Sequence, residues 1–235
     1  MNGTFEISSK DDGIHADNTI NIKDGNINIV NSYEGIEASY IIIDGGKITV
    51  NASDDGINVS GGTNTSNGRM DEFAATDGYL NINGGTIYVN SSGDGLDSNG
   101  SINMSGGSVF VDGPTNNGNG ALDYNGIFKI TGGTLIAVGS SGMAQNVSST
   151  STQNSILINL TSSYTGDIVF GDITYSPKKS YQTIVISSSS LELNKEYNLL
   201  INGTNVGTYT LSSTVSQSGT NSGMQGGMGD MQRRR

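Results

Sequence analysis

A short glycine-bearing segment recurs six times along this chain, and in five of the copies one fixed place holds an acidic, amide or imidazole side chain. The copies read Asp12-Gly13-Ile14-His15-Ala16, Glu34-Gly35-Ile36-Glu37-Ala38, Asp55-Gly56-Ile57-Asn58-Val59, Asp94-Gly95-Leu96-Asp97-Ser98, Gly120-Ala121-Leu122-Asp123-Tyr124 and a degenerate Ser141-Gly142-Met143-Ala144. Self-similarity of this kind restricts the fold to a repeat architecture, in which each unit buries its apolar face only by stacking on its neighbours.

A second motif runs in step with the first: Lys23-Asp24-Gly25-Asn26, Asp44-Gly45-Gly46-Lys47, Asn83-Gly84-Gly85-Thr86, Ser105-Gly106-Gly107-Ser108 and Thr131-Gly132-Gly133-Thr134. Each copy lies between two runs that alternate apolar and polar residues, such as Ile20 and Ile22 before the turn and Ile27 and Ile29 after it. Alternation with period two specifies strands with one face inside. Where nothing is inserted the units are 21 or 22 residues apart, room for three short strands and three turns. The repeat therefore predicts an all-β parallel β-helix, one coil per unit, with coils roughly 4.8 Å apart. The general crossover preference makes it right-handed. A sandwich of hairpins is the rival, but hairpins would not keep one residue class at one place in every unit.

The coils are expected over residues 1–150, with C-terminal strands over 151–215 capping the open core and a disordered tail over 216–235. Strands are read at 156–160, 168–170, 183–186 and 197–201. Asn31, Asn51 and Asn90, each after a third strand, are read either as an amide ladder or as turn formers. The stretch from Ser60 to Gly78 interrupts the third coil and carries Arg69, Asp71, Glu72, Phe73 and Asp77. Insertions in solenoids become loops on one face, often the binding face.

Composition narrows the function. The 235 residues hold 35 glycines, two prolines and no cysteine, which excludes disulfides and thiolate metal sites. A net charge of -11 opposes nucleic acid and anionic lipid, both of which need clustered Lys and Arg, and favours cationic partners. No apolar run reaches the roughly 18 residues of a membrane span. No signal peptide is visible, so the reading is an extracellular or cell-surface protein with its signal taken as removed.

In the first strand of each coil Ile14 and Ala16 face inward, which turns His15, and by the same logic Glu37, Asn58, Asp97 and Asp123, to the outside. Just before each strand stands a second acidic group: Asp11 and Asp12, Glu34, Asp54 and Asp55, then Asp94. Two carboxylates one coil apart repel by about 1 to 3.5 kcal/mol for effective dielectric constants of about 80 to 20. Against a domain stability of about 5 to 15 kcal/mol, a stack of them requires a counter-charge. Lys10 and Arg69 are the basic side chains near this face. A bound cation balances it better, and carboxylate, amide and carbonyl oxygens select calcium. The expectation is two or more calcium ions held by Asp11, Asp12, Glu34, Glu37, Asp54, Asp55, Asn58, Asp94, Asp97 and Asp123. Solvated acidic turns, with each aspartate bonded to its own turn backbone, are the alternative. His15 is the single histidine, so neither a catalytic triad nor a zinc site is read.

The Asp-Gly-Ile-x-Ala units alternating with Gly-Gly-x-Ile-x-Val strands resemble the clostridial cell-surface carbohydrate-binding β-helix proteins. The resemblance covers roughly residues 10–140 and implies a right-handed helix with calcium sites similar to those of pectate lyases. It also implies binding, without cleavage, of plant cell-wall polysaccharide, both pectic and cellulose-like. Calcium bridges a polygalacturonate chain to an acidic face. Neutral glucans need aromatic platforms; Tyr88 and Phe110 point outward on neighbouring coils, and Tyr33, Tyr40 and Tyr124 lie near the acidic column. Arg69, Asp71, Tyr33, Tyr124 and Lys10 are the expected glycan contacts. A calcium-dependent lyase, with Arg69 or Lys10 as the base that removes a proton, and a structural adhesion module are the competing readings.

Overall fold

The computed structural model describes residues 3–61 and 75–219. All regular structure among these residues is β-strand, and among them no helix is long and apolar enough to cross a membrane. Arg69 and Asp71, with most of the insertion, lie outside the described residues, as do residues 220–235.

Six strands pair in parallel along one sheet: Thr4–Ser8, Asn26–Ser32, Lys47–Ala52, Thr86–Ser91, Ser108–Asp112 and Thr134–Gly139. Pairing follows the repeat. Ile27 sits opposite Ile48, then come Ile87, Val109 and Leu135, and every one of the five is buried. The facing sheet starts with Ile14–Ile22 and Ile36–Ile43, each running through the end of the first predicted strand and the whole of the second. It then divides into two branches. One holds Ile57–Val59, Leu96–Ser98 and Leu122–Tyr124; the other holds Tyr79–Ile82, Ser101–Met104 and Phe128–Ile130.

The three-strand unit expected from the sequence thus appears in the later coils, whereas the first two coils fuse two strands across a register shift between Ala16 and Thr19. The local chemistry explains the difference. Later coils carry Asn99-Gly100 and Asn125-Gly126 at this corner, with the Gly126 amide donating to the Gly100 carbonyl at 2.7 Å. The early coils have Asp17-Asn18 and Ser39 with no glycine, and the chain stays extended.

Two glycine positions are fixed by geometry. The second glycine of the other motif takes the left-handed region, with φ of 86° at Gly85 and 78° at Gly107, a conformation that L side chains rarely adopt. Gly56, before the first strand, is held by close approach: a Cβ there would lie 2.2 Å from Val89 Cγ1 and 2.5 Å from the Gly95 carbonyl oxygen.

The parallel run ends at Thr134–Gly139. Tyr181–Ser187 runs antiparallel on Thr134–Gly139 and on Ser155–Tyr164. A separate four-stranded antiparallel sheet is built from Ile173–Tyr175, Ile168–Phe170, Glu196–Ile201 and Thr204–Thr210. Its buried Ile168, Phe170 and Leu199 join Ile136, Val138, Ile156 and Ile186 in a second core beside the long one. One boundary is corrected. Residues 216–218, expected in a disordered tail, belong to the strand Val215–Ser218, which adds in parallel to Ser155–Tyr164. Tertiary contacts hold it there: Ser216 is buried and its carbonyl accepts from Asn146 Nδ2 at 2.8 Å.

Substituting Gly56→Ala should destabilise the protein by about 1–3 kcal/mol or more through forced overpacking between coils. Gly118→Ala, where the nearest atom to an added Cβ is Asn116 Oδ1 at 3.3 Å, should stay within about 0.5 kcal/mol. Urea denaturation of both variants measures the difference.

Candidate functional site

The fixed polar position forms a continuous column. His15 lies opposite Glu37, Glu37 opposite Asn58, Asn58 opposite Asp97 and Asp97 opposite Asp123. A second column runs beside it. The amide of Gly13 donates to the Glu34 carbonyl at 2.9 Å, Gly35 to Asp55 at 2.9 Å and Gly56 to Asp94 at 2.9 Å, so Asp12, Glu34, Asp55 and Asp94 succeed one another coil by coil. On the fifth coil Gly120 takes the acidic place, and its amide donates to Asp94 Oδ1 at 2.5 Å.

Ligand atoms converge at two points. Asp94, Asp97 and Asp123 bring carboxylate oxygens within 4.8 Å of one another, and so do Asp12, His15 and Glu37 with one ligand atom each. Asn58 stands between them. Only 7 % exposed, it donates through Nδ2 to Glu34 Oε2 at 2.9 Å, while its Oδ1 is buried with no hydrogen-bond partner. A buried amide oxygen left without a donor costs about 1–3 kcal/mol. From Glu37 to Asp123 the column is recessed, while His15 at its first end is exposed, a point that alternation alone leaves open.

Recession governs the electrostatics. Burial, reinforced by the charges of Asp55, Asp94 and Asp123, pushes the Asp97 carboxyl up to about 8. Burial likewise raises Asp94 to about 7, against the hydrogen bond from Gly120. It raises Asp55 to about 6 against the hydrogen bond from the Asp94 amide, and Glu34 to about 7 against the one from Asn58. Asp123 is raised by burial although Gln145 Nε2 donates to it at 3.0 Å. The His15 end is balanced differently. His15 Nδ1 lies 2.7 Å from Glu37 Oε2 and 3.2 Å from Asp12 Oδ2, and the hydrogen bond to Glu37 raises the imidazole above its ordinary value. Burial acts to raise Glu37, but hydrogen bonds from Ser60, Asp12 and His15 outweigh it and the group is lowered. Asp12 is raised, first by burial and then by its bond to Glu37.

The remaining expected residues are not all drawn into this arrangement. Asp11 and Lys10 are exposed at the entry to the first coil. Asp54 is turned toward Tyr33, whose hydroxyl is raised above its ordinary value by the hydrogen bond to it; Tyr33 itself is exposed. Tyr124 is used inside the fold. Its hydroxyl donates to the Asn146 carbonyl at 2.6 Å and its ring meets Phe128 edge-on at 6.0 Å. Gln145 is the column member that the sequence reading passes over, because it sits one place beyond the repeat position, where the sixth copy has Ala144. The asparagines form a ladder only in part: Asn90 Nδ2 donates to Asn51 Oδ1 at 3.1 Å, while Asn31 turns to the Ser9 carbonyl.

A family model described as a carbohydrate-binding domain-containing protein matches residues 1–78. That segment holds the first three copies of the column, from His15 to Asn58. Neither a curated protein nor a solved structure matches the chain.

Carboxylates whose folded values stand near 6 to 8 carry a definite pH signature. The unfolded chain ionises near 4, so the folded state binds more protons between the two values. The contribution of these groups to stability is whole below about pH 4 and is lost as pH rises through about 6 to 8. In chelator the melting temperature should therefore fall between about pH 5 and pH 9, and Asp97→Asn, which cannot ionise, should raise the alkaline melting temperature and flatten the slope. Thermal melts across that range check it, and a melting temperature that rises with pH would contradict the assignment.

Proposed function

We propose that this chain is a right-handed parallel β-helix whose recessed acidic columns hold calcium and, through it, bind a carboxylated plant cell-wall polysaccharide of the polygalacturonate type at the cell surface, without cleaving it. The observation that carries this reading is the buried, unpartnered Asn58 Oδ1 beside carboxylates whose ionisation burial disfavours. A hard cation satisfies both at once. It accepts the amide oxygen as a ligand and returns Asp94, Asp97 and Asp123 to their charged forms. At Asp94, Asp97 and Asp123 all the donors are oxygen, presented irregularly, which suits the flexible coordination of calcium better than the strict octahedron of magnesium.

Asp55, Asn58, Asp94, Asp97 and Asp123 would hold one ion, and Asp12, Glu34 and Glu37 are donors for another. Bound calcium supplies positive charge at a face that otherwise repels a uronan. Such a chain could then add its own carboxylates to coordination positions that the protein leaves open. The carbohydrate-binding family match over residues 1–78 supports a glycan as the partner. The same match favours binding over cleavage.

Affinity electrophoresis in polygalacturonate tests the reading. The chain should be retarded with calcium and migrate freely in chelator, and Asp97→Asn or Asp123→Asn should abolish the calcium-dependent retardation. The same variants should lose the rise in melting temperature that calcium gives to the parent protein. Retardation that persists in chelator, or survives both substitutions, would refute an ion-bridged site.

A further inference from the structure

The first end of the polar column differs from the rest in its donor atom. Glu37, Asn58, Asp97 and Asp123 can ligate a cation only through oxygen, whereas His15 offers imidazole nitrogen. A single histidine in the sequence gives no sign of companions, but the stacking of one coil on the next supplies them. Asp12 precedes His15 on its own coil, and Glu37 stands in register with it on the following one. His15 Nδ1 lies 2.7 Å from Glu37 Oε2 and 3.2 Å from Asp12 Oδ2, and one ligand atom from each of the three falls within 4.8 Å of the others. The second ring nitrogen, Nε2, is 3.5 Å from Asp17 Oδ1.

Two features mark more than an ion pair. Nδ1 carries at most one hydrogen, yet two carboxylates converge on it, so a single hydrogen bond serves only one of them. Beside the group, a buried polar side chain lacks a partner. Asn58 follows Glu37 in register, its Nδ2 reaches back one coil to Glu34 Oε2 at 2.9 Å, and its buried Oδ1 accepts no hydrogen bond. The dimensions suit a small ion. Ligand atoms around a tetrahedral zinc, each about 2.0–2.2 Å from the metal, stand about 3.3 Å from one another. Asp12 Oδ2 is already at that distance from Nδ1. Glu37 Oε2 has to move apart from it by about 0.6 Å, which a small rotation of the half-exposed imidazole provides.

We infer that Asp12, His15 and Glu37 form a site for a borderline divalent cation of the zinc class, held by imidazole Nδ1 and two carboxylates and joining the first coil to the second. Ligand type makes the selection. Calcium is bound through oxygen and takes about 6–8 ligands at about 2.3–2.6 Å, a wider cage than three converging side chains. Zinc accepts imidazole and carboxylate together, and three protein ligands leave its fourth position open. A carboxylate behind the other ring nitrogen, the place of Asp17 here, is the usual support that orients a metal-bound histidine. The inference deepens the reading of the acidic columns as cation sites, and it assigns their second position, with Asp12 and Glu37, to zinc in preference to calcium. The position at Asp94, Asp97 and Asp123 has oxygen donors and is independent of it.

The single histidine makes the test direct, because the imidazole C–H signals in a carbon-correlated proton NMR spectrum all belong to His15. Zinc added in equimolar amount should shift these signals, and calcium in about tenfold excess should neither produce the shift nor reverse it. Glu37→Gln removes one ligand and leaves the observed ring in place. It should raise the zinc concentration needed for half of the shift by at least about tenfold, the cost of disturbing even a supporting partner of a metal ligand. His15→Asn should abolish the rise in melting temperature that zinc gives to the parent chain while keeping calcium-dependent retardation in polygalacturonate, which shows that the variant is folded and separates the two positions. Histidine signals that zinc leaves unmoved, an equal shift with calcium, or a zinc response unaltered in Glu37→Gln would overturn the inference.

Discussion

In-register parallel pairing is the constraint from which the other features of this protein follow. Outside a few register shifts, parallel pairing sets equivalent positions of successive repeats side by side, so whatever a repeat position carries is placed about 4.8 Å from its own counterpart. For Ile27, Ile48, Ile87 and Val109 this is favourable, since like side chains stack into one continuous apolar column. For the position of Gly56 it is restrictive. The neighbouring coil's carbonyl and Val89 come so close that no side chain fits, and the same glycine recurs at 13, 35 and 95. For Asp97 and Asp123 it is unfavourable, because it stacks carboxylate on carboxylate.

Elsewhere among the described residues most core positions are apolar and the antiparallel strand Tyr181–Ser187 ends the parallel run, with Asn159 Oδ1 a second buried amide oxygen that has no hydrogen-bond partner. The acidic columns break the pattern twice, by repetition of like charge and by burial of an amide oxygen without a donor. His15 relieves the first violation at one end through Asp12 and Glu37. No comparable cation serves Asp94, Asp97 and Asp123 among the described residues, where Gln145 supplies a single neutral donor.

The C-terminal strands have a second consequence besides closing the core. Their four-stranded sheet packs its own core against Ile136 and Val138 and stands beside the outer face of the long sheet. Tyr175 thereby reaches Phe110, and a surface ladder of two rings becomes one wall of a cleft.

Much of the fold was legible because the repeat converts sequence period directly into spatial register. Spacing of 21 or 22 residues, period-two alternation and paired glycines are local signals, and they were enough to place the all-β class, the pairing of equivalent positions and the column from His15 to Asp123. The sequence by itself therefore determined which residues stack on which. Depth was decided only by the tertiary structure. Whether Asn58 is a surface amide or a buried one, and whether Asp97 ionises near 4 or near 8, depends on neighbouring coils that no single repeat encodes. The same holds for Gln145, displaced by one place, for Tyr124, held inside by Asn146, and for Tyr175, brought to Phe110 from another sheet. Periodicity specifies neighbours along the stack, while desolvation and contacts between distant segments arise only when the stack is assembled and capped.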